Sequence, residues 1–254
     1  MKVISTLRAG RVVRQVLFTP REPNPNQRHS SIGLSKEDKK KANLKTSQEK
    51  LLMLVCANFS PGDWWITLTY DDEHLPQTRQ EAQKPFRKFM RKFRKYRKDN
   101  REPFKYVYCT QVTTENGGRR VHHHMIMRWE DNDDREKIKE LWEGGPISKI
   151  ERLKDIKHIH TEVGYMCREP RELGVYMPGE QMWTASRGLI RPQPEIIRID
   201  NDSIDINVPV GCEALDGTTQ IPGYGGFKKI IYYENLYGEQ KLCLSKRRRV
   251  YVTG

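Results

Sequence analysis

Two aromatic and apolar runs flank the turn tetrad Glu115-Asn-Gly-Gly118, and that arrangement leaves the chain little local choice. Phe104 to Thr113 alternates and is rich in aromatic and β-branched residues, the composition of a strand. After the turn come Val121, Met125, Ile126 and Met127, a second buried strand. Asn-Gly and Gly-Gly steps adopt the positive φ angles that tight hairpin turns demand. Residues 104–127 are therefore predicted to form one β-hairpin. Its second strand carries three consecutive histidines, His122-His123-His124. Alternate side chains of a strand share a face, so His122 and His124 point one way and His123 the other.

Two imidazoles on one face of a rigid element make a start on a metal site. A purification tag would sit at a terminus in polar surroundings; this run is internal and followed by apolar residues. On the partner strand Lys105, Val107, Cys109, Gln111 and Thr113 share a face. Gln111 offers an amide oxygen close to the turn and is the expected third ligand, with Glu115 in the turn as the alternative. His123 would take a ligand's place only if the strand were turned over. A neutral amide beside two imidazoles predicts a weak, labile site for Mg²⁺ or Mn²⁺.

Elsewhere the pattern reads as follows. Residues 1–34 hold a short strand or two and then a Pro-rich loop. Ser35 with Asp38 marks a helix start, and the helix runs to about Ala57 with Leu44, Leu51, Leu52, Val55 and Cys56 buried. Trp64 to Tyr70 is a strand between Pro61-Gly62 and Asp71-Asp72. Phe86, Phe89, Phe93 and Tyr96 recur at helical spacing. Between them stand Arg87, Lys88, Arg91, Lys92, Arg94, Lys95, Arg97 and Lys98, with no acid to offset them. Such a run of like charges repels itself and predicts a phosphate-facing helix. Asp133 to Glu143 is a short helix closed by Gly144-Gly145. Ile156 to Thr161 reads as a short strand, and Glu162 to Glu169 as a helical turn or two with Tyr165 and Arg168 on one face. Beyond Gly188 the chain is strand-like and ends in the basic cluster Lys246, Arg247, Arg248 and Arg249.

Composition narrows the function. Lys and Arg total 46 against 33 Asp and Glu, a formal charge of +13, which suits a polyanionic partner, most simply nucleic acid. The 5 cysteines form no Cys-x-x-Cys pair, which argues against a zinc ribbon or a disulfide framework and for a reducing cytoplasm. No stretch approaches a membrane span, and the first residues lack the apolar core of a signal peptide. A phosphate-binding Gly-x-x-x-x-Gly-Lys-Ser/Thr loop is absent, so no built-in helicase motor is expected.

Two histidines and an oxygen leave open positions on a metal, which would polarise a phosphoryl oxygen as a Lewis acid. A tyrosine on a neighbouring helix, its phenolate favoured by a nearby cation, would then attack phosphorus. Three segments in this order resemble the HUH endonucleases, above all the rolling-circle replication initiators of small phages and plasmids. Thr67-Leu-Thr-Tyr70 is similar to the family's first strand motif. Val121-His-His-His124 is similar to its metal motif. Tyr165-Met-Cys-Arg-Glu-Pro-Arg171, continuing to Trp183-Thr-Ala-Ser-Arg-Gly-Leu189, is similar to its tyrosine motif. The likeness covers about residues 36–195.

The resemblance implies an α+β fold, a central antiparallel sheet with helices on one face, of the HUH, ferredoxin-like type. It implies His122, His124 and Gln111 as metal ligands and Tyr165 as nucleophile, with Tyr176 as a second tyrosine in reach. The family commonly has lysine where Arg168 stands; a guanidinium can orient phosphate or stabilise phenolate but does not readily give up a proton. Arg87, Lys88, Arg91, Lys92, Arg94, Lys95, Arg119 and Arg120, with Lys246 to Arg249, are expected to hold DNA, and exposed aromatics to stack on bases. The expected organisation is an N-terminal extension (1–34), an endonuclease domain (35–199) and a basic β-rich extension (200–254). The expected activity is metal-dependent nicking of a single-stranded origin through a 5′-phosphotyrosine. A helicase and polymerase of the bacterial host would act with it. Transposase or relaxase work uses the same covalent step, and a regulator that binds nucleic acid without cutting it is the reading of another class.

Overall fold

The computed structural model describes residues 1–20, 35–98, 104–113, 118–129, 133–145, 147–169, 181–201, 203–223 and 226–236. Glu115, Tyr176 and the cluster at 246–249 lie outside the described residues, as does the side chain of Arg119. The chain divides into two compact units, one of Met1–Lys39 with Arg191–Gly254 and one of Lys40–Ile190. The fold is α+β, with two antiparallel sheets and four helices among the described residues.

In the first unit, β1 (Lys2–Ala9) and β2 (Val12–Phe18) form a hairpin, Ala9 pairing with Val12. They join β8 (Glu195–Ile199), β10 (Thr219–Gly223) and β11 (Gly226–Asn235) in the order β10-β11-β2-β1-β8, and β9 (Cys212–Ala214) pairs with β11. The segments read as separate extensions at the two ends of the sequence therefore share one sheet. Long-range backbone pairing of this kind leaves no local sequence signal. Val13, Leu17, Ile206, Ile231 and Tyr233 make its buried cluster.

The second unit is built on a five-stranded sheet of order β6-β3-β5-β4-β7, from β3 (Trp64–Thr69), β4 (Tyr106–Thr113), β5 (Arg119–Met127), β6 (Ile147–Arg152) and β7 (Thr184–Ala185). The predicted hairpin is β4–β5, Val107 facing Ile126 and Gln111 facing His122. Strand β3 borders β5 on its other edge, with Thr67 opposite His124 and Thr69 opposite His122. Helix α1 (Lys36–Asn58) starts at the expected cap: the Asp38 amide donates to Ser35 Oγ at 3.1 Å, and the Ser35 hydroxyl donates to the Asp38 carboxylate at 2.7 Å. Leu44, Leu51, Leu52, Val55 and Cys56 are buried, as their spacing predicts.

Helix α2 (Arg79–Lys98) packs Phe86, Phe89 and Phe93 on one face of the sheet, with Phe86 4.4 Å from Tyr108 and 4.3 Å from His123 between ring centroids. Helix α4 (Ile156–Met166) contacts β4 and sets Tyr165 against His124, on the other face. The one-sided layering expected from the resemblance is therefore corrected to helices on both faces. Every residue from Val121 to Met127 is buried; apolar side chains on both faces of a strand need cover on both.

Two further expectations change. Ile156–Thr161 is the first part of α4, not a strand. Asp155 caps it, accepting from the His158 amide at 2.7 Å, and the buried Ile156, Ile159, Val163 and Met166 follow a helical period. The alternation of Lys-His-Ile-His-Thr was too short to separate period 2 from period 3.6. Arg97, counted on the basic face of α2, instead turns inward. Its guanidinium meets Asp134, the first residue of α3 (Asp134–Leu141), at 2.6 Å, donates to the Arg128 carbonyl, and is fully buried with its partner.

Breaking a buried ion pair strands a charge in low dielectric and costs about 3–5 kcal/mol. Asp134→Ala is therefore expected to lower the unfolding free energy by about that amount, read from urea melts; a loss below about 1 kcal/mol, the scale of an exposed pair, would contradict a buried Arg97.

Candidate functional site

The middle histidine is a core residue. His123 is fully buried on the α2 side, edge-on to Tyr70 and Trp142. Its Nε2 lies 2.8 Å from the Tyr70 hydroxyl and its Nδ1 2.9 Å from Thr110 Oγ1. One assignment satisfies every group. The Gln83 amide donates to Thr110 Oγ1, the Thr110 hydroxyl to His123 Nδ1, His123 Nε2–H to Tyr70 Oη, and the Tyr70 hydroxyl to the Ala82 carbonyl. Burial holds this imidazole neutral, with its pKa pushed down to about 3. With both nitrogens engaged, His123 has no lone pair left for a metal.

The outer two histidines stand on the opposite face, their rings 4.8 Å apart and nearly perpendicular. His122 Nδ1–H donates to the Arg120 carbonyl at 2.8 Å, a backbone contact that fixes the tautomer and leaves Nε2 its lone pair. His124 lies flat on Trp65, with centroids 5.1 Å apart, and its Nδ1 is 3.1 Å from Thr67 Oγ1. Burial lowers the pKa of both, so both are held in the neutral, metal-binding state.

Gln111 sits directly across from His122 in the hairpin. Its amide N–H donates to the Tyr165 carbonyl at 2.8 Å, which turns Oε1 the other way. Gln111 Oε1 and His124 Nε2 are buried acceptors without a hydrogen-bond partner. Leaving such an atom unsatisfied costs about 1–3 kcal/mol, and two in one place are what a missing cation would complete. The donor set of two imidazoles and an amide oxygen fits a divalent ion, and the imidazoles favour Mn²⁺ over the harder Mg²⁺.

Tyr165 reaches this face from α4, its ring 4.8 Å from that of His124. The Arg168 guanidinium lies 4.8 Å from the Tyr165 ring centroid. A buried carboxylate anchors this end of the helix. Glu169 accepts from the Val112 amide at 2.7 Å and pairs with Arg79 of α2 at 2.7 Å. Val112 lies where the β4–β5 register shifts, between Gln111 and Thr113. Bulges of this kind re-aim neighbouring side chains, and here Glu169 holds the irregularity next to Gln111. Nothing in the spacing of the sequence singled out Glu169, because its partners come from two other elements.

A second ligand group was also missed. Glu151 of β6 and His158 and Glu162 of α4 bring three ligand atoms within 4.8 Å of one another, a group able to hold a metal ion. The i, i+4 spacing of His158 and Glu162 was its sequence signal, hidden by reading residues 156–161 as a strand. His158 Nε2 is 3.0 Å from Glu162, and the Lys149 ammonium is 2.6 Å from Glu151. That lysine already supplies a positive charge, which a metal would have to displace. Lys149 faces Thr67 in the β3–β6 pairing, so this group and the histidine pair occupy the same face of the sheet.

The residues expected to hold DNA are not gathered at the histidine pair. Arg87, Lys88, Arg91, Lys92, Arg94 and Lys95 lie on α2, behind the sheet. Lys88 and Lys92 pair with Glu143, and Arg94 reaches the Tyr106 hydroxyl. Arg120 is at the sheet end, 2.9 Å from Asp72 and 2.6 Å from the Tyr70 carbonyl. Among the described residues, no helix is long and apolar enough to cross a membrane.

Residues 63–171 match a family model of replication-associated proteins of the ORF2 type, a match consistent with a part in starting replication. No curated protein and no solved structure matches the chain. The matched span covers β3, the β4–β5 hairpin, α4 and Tyr165.

Ligand charge sets metal affinity. If Gln111 Oε1 faces the ion, Gln111→Glu is expected to tighten Mn²⁺ binding by about tenfold or more in calorimetry; unchanged or weaker binding would remove Gln111 from the ligand set.

Proposed function

We propose that this chain is a metal-dependent endonuclease and strand transferase that nicks single-stranded DNA at an origin to start rolling-circle replication. The observation that carries the reading is the meeting of Tyr165 with His124 on the face that also presents His122 and the unpartnered oxygen of Gln111. A buried, neutral imidazole pair is a metal-ligand arrangement, and a tyrosine against it is a nucleophile in reach of whatever phosphate the metal holds.

The bound ion would polarise the scissile phosphate and lower the cost of charge on its oxygens. This chain's residues do the rest. The Tyr165 hydroxyl gives up its proton to solvent, and its oxygen attacks phosphorus. The bond from phosphorus to the 3′ oxygen breaks, and that oxygen takes a proton to leave as a free 3′ hydroxyl. The 5′ phosphate stays esterified to Tyr165. A later 3′ hydroxyl attacks the same phosphorus and displaces the tyrosine, rejoining the strand without ATP. Arg168, stacked by the Tyr165 ring, favours the phenolate through its charge. It does so as a fixed cation, since a guanidinium keeps its proton. The Gln111 bond to the Tyr165 carbonyl and the Glu169 anchor keep the nucleophile at one distance from the ligand strand. Positioning of this kind supplies much of the rate in phosphoryl transfer. Strand separation and synthesis fall to a helicase and a polymerase of the host.

The test is adduct formation. The protein is incubated with Mn²⁺ and single strands tiled across the DNA flanking its gene, then denatured and analysed for a covalent protein–DNA band. A band is expected from the native chain, to be lost in Tyr165→Phe and to fall by about 100-fold in His124→Ala. Persistence in Tyr165→Phe would move the nucleophile elsewhere. Retention in His124→Ala with loss in Glu162→Gln would move the metal to the Glu151 group. Binding with steep salt dependence but no band under any divalent metal would favour a regulator that does not cut.

A further inference from the structure

Helix α2 turns its aromatic residues to the sheet and presents a different face to a cavity of about 680 Å³. Four of the lining residues, Lys84, Arg87, Lys88 and Arg91, stand at i, i+3, i+4 and i+7, which is one stripe of a helix. Like charges at i, i+4 oppose helix formation unless an anion joins them. Glu143 is the carboxylate in the lining, and it is taken up by Lys88 and by Lys92. Among the described residues, Lys84, Arg87 and Arg91 have neither an ion pair nor a hydrogen bond. The stripe is about 10 Å long at 1.5 Å per residue, longer than one phosphate needs and suited to a run of phosphodiesters. A cavity of this size holds a nucleotide or two rather than a rigid duplex.

The cavity lies behind the sheet, on the His123 side, while His122, His124 and Tyr165 lie on the front. The two faces meet where β3 ends. Thr69 pairs with His122, the next residue, Tyr70, lines the cavity, and Arg120 donates to the Tyr70 carbonyl. A strand leaving the front site over this end would pass Arg120 and enter the basic cavity. We infer that the α2 cavity is a second, sequence-independent binding site for single-stranded DNA, which holds the backbone of the segment flanking the cleaved one. The inference rests on the reading of single-stranded DNA as the substrate; it adds a site that the cleavage chemistry does not need.

The test uses the full chain carrying Tyr165→Phe, in EDTA, so neither cleavage nor metal enters the result. Fluorescence anisotropy follows mixed-sequence single strands of about 30 and about 8 nucleotides, the shorter being within the reach of one site. Adding Lys84→Gln, Arg87→Gln and Arg91→Gln together is expected to raise the Kd of the long strand by about tenfold or more and to reduce the slope of log affinity against log salt by about 2. The short strand is expected to change by less than about twofold, because it can occupy the front site alone. The same three-charge removal at Arg135, Lys137 and Lys139 of α3 is the control, expected to leave the long strand within about twofold. Circular dichroism verifies that each variant is folded. An unchanged long-strand Kd, an equal loss on both strands, or binding of polyglutamate as tight as DNA would each overturn the inference. Failure of the native chain to form an adduct would sink the nicking reaction and leave this result standing; the reverse pattern would sink the cavity alone.

Discussion

Strand β5 is hydrogen-bonded along both edges, to β3 on one side and β4 on the other. That leaves its side chains two directions, and successive residues must alternate between them. A slip of one residue would exchange the faces of all three histidines. The site depends on this register. It puts His123 into a chain of hydrogen bonds ending on Ala82, and it leaves His122 and His124 on the front with a lone pair each. The back of the sheet explains why the register is secure. His123 is seated against Phe86, Tyr70 and Trp142, a setting that would be costly for an imidazole with an unmatched nitrogen.

The front is held by polar contacts between elements distant in sequence. Gln111 spans β4 and α4 by donating to the Tyr165 carbonyl. Glu169 joins the same two elements and adds α2 through Arg79. Both contacts act on the distance between a ligand strand and a helix carrying a nucleophile. A reaction that moves a phosphate between two oxygens is sensitive to that distance, since a misplacement of about 1 Å costs about 100-fold. Buried carboxylates that satisfy an irregular backbone amide are expensive to place without a counter-charge, which accounts for the arginine beside Glu169.

Charge is distributed between the two faces in different ways. The front holds neutral imidazoles, one guanidinium near Tyr165, and the Glu151, His158 and Glu162 group with its lysine. The back carries the stripe on α2. A net charge of +13 alone announces a polyanion and says nothing of where it lies. Packing the aromatic residues of α2 against β4 and β5 sends its cations away from the histidine pair. For Arg97 the same packing went further and buried the charge against Asp134.

Several features follow from the residues taken in order: the β4–β5 hairpin, the alternation of the histidines, the cap and buried face of α1, and the position of Gln111 opposite His122. Each depends on neighbours within about two dozen residues, where period and turn chemistry act directly. Other features needed the folded chain. These are the helical state of Ile156–Thr161, the burial of Arg97, the bond of Glu169 to the bulge at Val112, the joining of both ends of the sequence in one sheet, and the placement of α2 behind the histidines. Each is a pairing between segments far apart in the chain, and a one-dimensional pattern carries no record of which distant partner a side chain or strand edge will meet. The sequence by itself determined which residues have the chemistry of a metal-bound phosphoryl transfer; the tertiary structure decided which of them share a face, because only packing brings β3, β4, β5 and α4 to one side.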